Sequence, residues 1–130
     1  MSARDPGGMG TMAQKTTLLI SAYLKVASTL GLTLSNQAAI LGVSQRTVGR
    51  WKTSPPVNAP DKLDRMAVFM ELYGLARQAC PGKRGAVEWL RRPNTSPMFH
   101  GRAPLDLILD GRLESLTRVR DHLTSCVRIW

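Results

Sequence analysis

Gly42 and its surroundings constrain this chain more than any other part of it. The stretch Leu34–Thr53 reads LSNQAAILGVSQRTVGRWKT, two short runs of helical spacing joined at that glycine. A sharp turn between helices needs a residue at positive φ, which glycine supplies without steric cost. Ala38, four residues earlier, is small enough for two helices to cross closely. Ile40, Leu41, Val43, Val48 and Trp51 are spaced to form a shared core, with Val48 and Trp51 on the inner face of the second helix. Ser35 and Ser44 stand where the two helices would begin, and a serine hydroxyl there accepts from a backbone N–H two or three residues on. The pattern predicts a helix-turn-helix, in which a bracing helix holds a second one for the major groove of DNA.

The outward residues of that unit are Ser44, Gln45, Arg46, Thr47, Gly49 and Arg50. Arginine fits guanine O6 and N7 as a bidentate donor, and glutamine fits adenine in the same way, so Gln45, Arg46 and Arg50 are candidate base readers or phosphate contacts. Ser35, Asn36 and Gln37, at the start of the bracing helix, are candidates for phosphate contact. Together with Ser44 and Thr47 these residues make up the expected DNA-binding set.

The remaining segments fall into place around this unit. Met1–Met12 is rich in glycine and small residues, lacks periodicity, and is expected to be a disordered arm. From Ala13, an apolar stripe of Leu19, Ala22 or Tyr23, Val26 and Leu30 predicts an amphipathic helix that Gly31 stops. Ser54-Pro55-Pro56-Val57-Asn58-Ala59-Pro60 cannot be helical, and it predicts a stiff linker at 54–60 between a domain at 13–53 and another at 61–130. Beyond it, Leu63, Met66, Ala67, Met70 and Tyr73 mark a helix running to Ala79. A short helix spans Gly85–Arg91, another starts at Pro104 with Leu105, Ile108 and Leu109 inside, and the last carries Leu113, Leu116, Val119, Leu123 and Cys126 or Val127. No stretch alternates with period two, so the expected fold is all-α: a helix-turn-helix bundle followed by a small helical domain.

Charge narrows the partners. Eighteen Lys and Arg against nine Asp and Glu leave a net charge of +9, which favours a polyanion. Arg46, Arg50 and Lys52 lie in a stretch without acids, and Lys83, Arg84, Arg91, Arg92 and Arg102 face only Glu88. Two basic surfaces follow, one on the second helix of the turn motif and one downstream. No apolar run approaches the roughly 20 residues of a membrane span, so a cytoplasmic protein without membrane contact is expected. Cys80 and Cys126 lack histidines at ligand spacing and read as reduced, partly buried thiols, and His100 and His122 as surface residues. No phosphate-binding glycine loop, metal cluster or paired carboxylates emerge, which excludes an enzyme and implies neither cofactor nor metal.

The second half carries a recognisable order of short motifs. Ala86-Val87-Glu88-Trp89-Leu90-Arg91-Arg92-Pro93-Asn94, a loop with Gly101, Pro104-Leu105-Asp106-Leu107-Ile108 and the closing Leu116, Val119 and Leu123 follow one another. This order is similar to the toxin-binding domain of Xre/MbcA/ParS-type antitoxins, and with the helix-turn-helix ahead of it the resemblance covers about Leu18 to Trp130. The resemblance implies a two-part protein. One part binds a cognate RES-domain toxin, which consumes NAD or attaches ADP-ribose to proteins; the other binds double-stranded operator DNA of its own operon. It also implies that the tail enters the toxin's active-site mouth. Here that tail is Cys126-Val127-Arg128-Ile129-Trp130, and it lacks the glycine with which family members often close. The expected toxin-binding residues are Arg102, Val127, Arg128, Ile129 and Trp130. Ile129 and Trp130 fit either a partner's cleft or the chain's own core. A homodimer is expected, because one helix-turn-helix binds weakly and two half-sites about 34–36 Å apart suit a two-fold pair. A stand-alone dimeric regulator is the alternative.

Overall fold

Glycine or proline follows closely on the ends of α-helical stretches at Gly31, Gly42, Pro81, Pro93 and Gly111. A computed structural model describes residues 8–54, 56 and 58–128 and contains seven α-helices: α1 Gly8–Leu30, α2 Leu34–Leu41, α3 Gln45–Trp51, α4 Pro60–Ala79, α5 Gly85–Arg91, α6 Pro104–Ile108 and α7 Leu113–Arg128. A single 3-10 turn, Pro97–Phe99, precedes α6. Among the described residues there is no strand, so the all-α expectation holds. Among the described residues no helix is long and apolar enough to cross a membrane.

Two boundaries differ from the sequence reading. The first helix starts at Gly8, so residues 8–12, expected in a disordered arm, form its opening turns. Extending an existing helix fixes one residue per hydrogen bond gained, which costs far less than nucleating it. The buried stripe of α1 is Ile20, Tyr23, Ala27 and Leu30, whereas Leu19 and Val26 are only half-buried and Ala22 is exposed. Either phase gives helical spacing; packing against α4 selects this one.

The break at 54–60 interrupts the helices but not the core. Buried residues from Ile20 to Leu123 form one cluster, and α4 touches α1, α2, α5 and α7. Met66, Phe69, Leu72 and Ala76 put one face of α4 into that cluster, and its contact with α7 is the most extensive between any two helices. Arg65 Nη1 donates to the Gly111 carbonyl at 2.8 Å and Arg120 Nη1 lies 3.3 Å from Glu71 Oε1, so α4 and α7 run in the same direction. The second half is therefore built on a helix that also closes the bundle behind α2.

Two details of this core make testable statements. The Tyr23 ring meets Phe69 edge to face at 5.7 Å, and its buried hydroxyl has no hydrogen-bond partner among the described residues. An unmet buried hydroxyl costs about 1–3 kcal/mol. Tyr23→Phe is therefore expected to raise stability by about 1 kcal/mol in chemical denaturation; a loss of stability would reveal a partner for the hydroxyl. Burial also raises the Tyr23 pKa above its ordinary value near 10. The folded state thus resists ionisation that the unfolded chain allows, and wild-type stability falls as the pH rises past that value, a fall that the phenylalanine variant lacks.

The second detail is Gly85. A Cβ built there would overlap the Cys80 carbonyl oxygen, because the chain turns back on the end of α4 before α5 starts. A backbone atom cannot swing aside as a flexible side chain can. Gly85→Ala is expected to destabilise the fold by about 1–3 kcal/mol, read as a lower denaturant midpoint. An unchanged midpoint would mean that this loop relaxes freely.

Candidate functional site

The turn of the helix-turn-helix is held from both sides. Gly42 adopts φ 70°, ψ 35°, and the Gly42 and Val43 amides both donate to the Ala38 carbonyl at 2.9 and 3.1 Å. A Cβ on Gly42 would lie 3.1 Å from the Arg65 guanidinium carbon. Glycine is needed at this position for its conformation, whereas the Arg65 side chain that packs over it is flexible. Arg65 reaches from α4 to this turn and to Gly111, tying the motif to the loop before α7. Sequence spacing does not single out Arg65, because both of its contacts come from segments distant in the chain.

The helix starts are capped, though not as expected in both cases. Ser44 caps α3: its Oγ accepts from the Thr47 amide at 3.1 Å and lies 3.0 Å from Thr47 Oγ1. At α2 the cap is Thr33, not Ser35. Thr33 Oγ1 accepts from the Asn36 amide and Asn36 Oδ1 accepts from the Thr33 amide, both at 3.0 Å, a reciprocal pair that satisfies two otherwise free donors. Ser35 is left exposed and Asn36 half-exposed. Gln37, expected at the phosphate-facing surface, is 6% exposed, and its Nε2 donates to the Leu32 carbonyl at 3.3 Å. Its side chain is buried and bridges inward to the α1–α2 connection instead of standing on the surface.

Val48 and Trp51 pin α3 to the core. The opposite side presents Gln45, Arg46 and Arg50 exposed, with Thr47 and Gly49 half-exposed and Lys52 just beyond. Among the described residues, neither Arg46 nor Arg50 forms a salt bridge. Their charges are free for an external polyanion, and the face carries no acid to oppose one.

The downstream basic residues divide. The Arg91 Nε donates to the Leu30 carbonyl at 2.9 Å and Nη2 also reaches the Leu30 and Gly31 carbonyls, so this guanidinium closes the C-terminal end of α1. Arg92 lies 3.5 Å from Glu88 on the surface of α5. Lys83, Arg84 and Arg102 are exposed. α5, the 3-10 turn and α7 bring together Trp89, Phe99 and His122, with Trp89 and Phe99 ring centroids 6.0 Å apart and Phe99 and His122 5.2 Å apart. His122, expected at the surface, is thus half-buried among aromatics, and its Nε2 lies 3.8 Å from Cys126 Sγ. Beside Trp89 opens a cleft of about 330 Å³ lined by Cys80, Glu88, Arg92 and Asn94 among others. Burial first, then the neighbouring Cys126, push the Cys80 thiol up against the pull of Arg92.

Of the expected toxin-binding residues, Val127 is half-buried and Arg128 exposed in the last turn of α7, well separated in sequence from exposed Arg102 in the loop before α6. Ile129 and Trp130 lie outside the described residues.

Two family models match the chain. The antitoxin Xre-like helix-turn-helix domain matches residues 12–70, and the antitoxin Xre/MbcA/ParS C-terminal toxin-binding domain matches residues 75–126. The two matches meet within α4, the helix shared by both halves. A probable mycobacterial cidal antitoxin of Mycobacterium tuberculosis is 31% identical over 86 residues, 66% of this chain and 70% of its own length. An uncharacterized protein of Sinorhizobium fredii is 29% identical over 105 residues, 80% of each chain. With a surface-presented basic α3 ahead of a helical half that matches the toxin-binding domain, the chain belongs to the Xre/MbcA/ParS antitoxin family and is not an enzyme.

Proposed function

We propose that this antitoxin neutralises a RES-domain toxin, an enzyme that consumes NAD or ADP-ribosylates proteins, and represses its own operon in the cytoplasm by binding promoter DNA as a dimer. The observation that carries the DNA half is the outer face of α3: Gln45, Arg46 and Arg50 stand exposed and without salt bridges, while Val48 and Trp51 hold the helix in place. A helix presented this way has its reading residues prearranged and loses little entropy on docking. Ser35, Asn36, Ser44 and Thr47 flank that face, where short hydroxyl and amide groups serve backbone contacts. For the toxin half, the support is the match to the toxin-binding domain together with the motif order from Trp89 to Leu107.

Co-expression with the neighbouring gene tests both halves. The expected result is a toxic neighbour that depletes NAD or modifies proteins when alone, is silenced by this chain and co-purifies with it. Retardation of the DNA upstream of the chain's coding sequence completes the test. A harmless neighbour with upstream DNA still bound would instead leave a stand-alone regulator.

A further inference from the structure

Gly49 has no role that the chain itself explains. It lies inside α3, at neither cap position, and its φ is not in the positive region that requires glycine. A Cβ at Gly49 would meet no atom within 4 Å, so packing does not require a missing side chain either. Glycine is among the poorest helix formers, and in a helix of seven residues its cost is not diluted by length. Every intramolecular consideration favours alanine.

The position of Gly49 suggests what uses the space. At 100° per residue, Gly49 falls between Gln45 and Arg46 on the side away from Val48 and Trp51, with Arg50 beyond Arg46. An α-helix with its side chains is about 10–12 Å across and the major groove is about 12 Å wide, so a helix in the groove has almost no clearance. Bare backbone within the docking face, between Gln45 and Arg46, lets the helix sit deeper by about the length of one carbon–carbon bond. That extra depth brings the arms of Gln45 and Arg46, which straddle the glycine, within reach of base edges.

We infer that Gly49 is the point of closest approach between α3 and duplex DNA, a positioning residue that sets how deeply Gln45 and Arg46 enter the groove. This rests on the reading of α3 as the DNA-binding helix.

Gly49→Ala gives a test in which the two effects have opposite signs. The variant is expected to melt about 2–5 °C higher, because a poor helix former is replaced by the best one without a clash. It is also expected to bind the DNA upstream of the chain's own coding sequence at least tenfold more weakly, about 1.4 kcal/mol. A merely structural role cannot produce a more stable protein that binds less well. Gly74→Ala is the control: Gly74 is also helical, in α4, also free of neighbours within 4 Å of a Cβ, and lies outside the α3 face. It should gain stability and keep wild-type DNA affinity.

Three outcomes overturn the inference: a stabilised Gly49→Ala that binds like wild type, loss of affinity in Gly74→Ala as well, or a Gly49→Ala defect confined to self-association, which would put a second copy of the chain against the glycine. Failure of the wild-type protein to bind the upstream DNA would instead strike the reading of α3 itself.

Discussion

Replacing Arg46 and Arg50 together by alanine is expected to weaken operator binding by roughly 30-fold to 10⁴-fold while toxin neutralisation continues. Each arginine, if it reads a guanine, contributes about 1–3 kcal/mol, and tenfold in affinity corresponds to about 1.4 kcal/mol. Both side chains are exposed and neither enters a salt bridge among the described residues, so the fold should change by no more than about 0.5 kcal/mol. The single variants separate the roles. A base reader relaxes specificity at one position of the operator; a phosphate contact weakens all DNA alike and reduces the salt slope by about 1. Loss of neutralisation in the double variant would mean that the halves do not act separately. That outcome has a physical route, because α4 serves both and Arg65 links the α2–α3 turn to the loop before α7.

How much of this was legible in the sequence depends on the range of the interaction concerned. Gly42, Ser44, Val48 and Trp51 could be placed correctly because turn conformation, capping and helical spacing act within four residues. The bounds of the Gly85–Arg91 helix follow equally from local punctuation. Where two local solutions were close, tertiary packing decided. The stripe of α1 advances by one residue from Leu19 to Ile20, and Thr33 rather than Ser35 caps α2 because Asn36 reciprocates its bond.

Other features rest on the path the chain takes between elements, whether five residues or sixty separate the partners, and helical spacing carries no trace of them. Arg91 closes α1 at Leu30, 61 residues away, although its neighbours Arg92, Lys83 and Arg84 stay on the surface. Gln37 looks like any polar residue at a helix start until the Leu32 carbonyl draws it inward. The crowding of Gly85 by Cys80 depends on the path of the loop between α4 and α5. Gly49 is the reverse case: its freedom from neighbours becomes visible only once the surroundings of α3 are known.

Replacing Ile129 and Trp130 by alanine is expected to release the toxin while operator binding persists. Leu116, Val119 and Leu123 supply the buried stripe of α7, whereas Val127 is only half-buried and Arg128 exposed, so the core contribution of this helix fades before its last turn. An isoleucine and a tryptophan are side chains suited to anchoring a partner, and truncating a buried interface tryptophan costs about 2 kcal/mol or more, roughly 30-fold in affinity. Arg128 and Arg102 would then supply charge at the rim, where they act on the rate of encounter more than on its strength. Melting temperature, neutralisation and DNA retardation measured on the same variant distinguish the possibilities. Lost protection at an unchanged melting temperature places both side chains in the toxin. A melting temperature lowered by several degrees with protection retained would mean that they pack on the chain's own core, and the toxin contact would then have to be sought at the cleft beside Trp89.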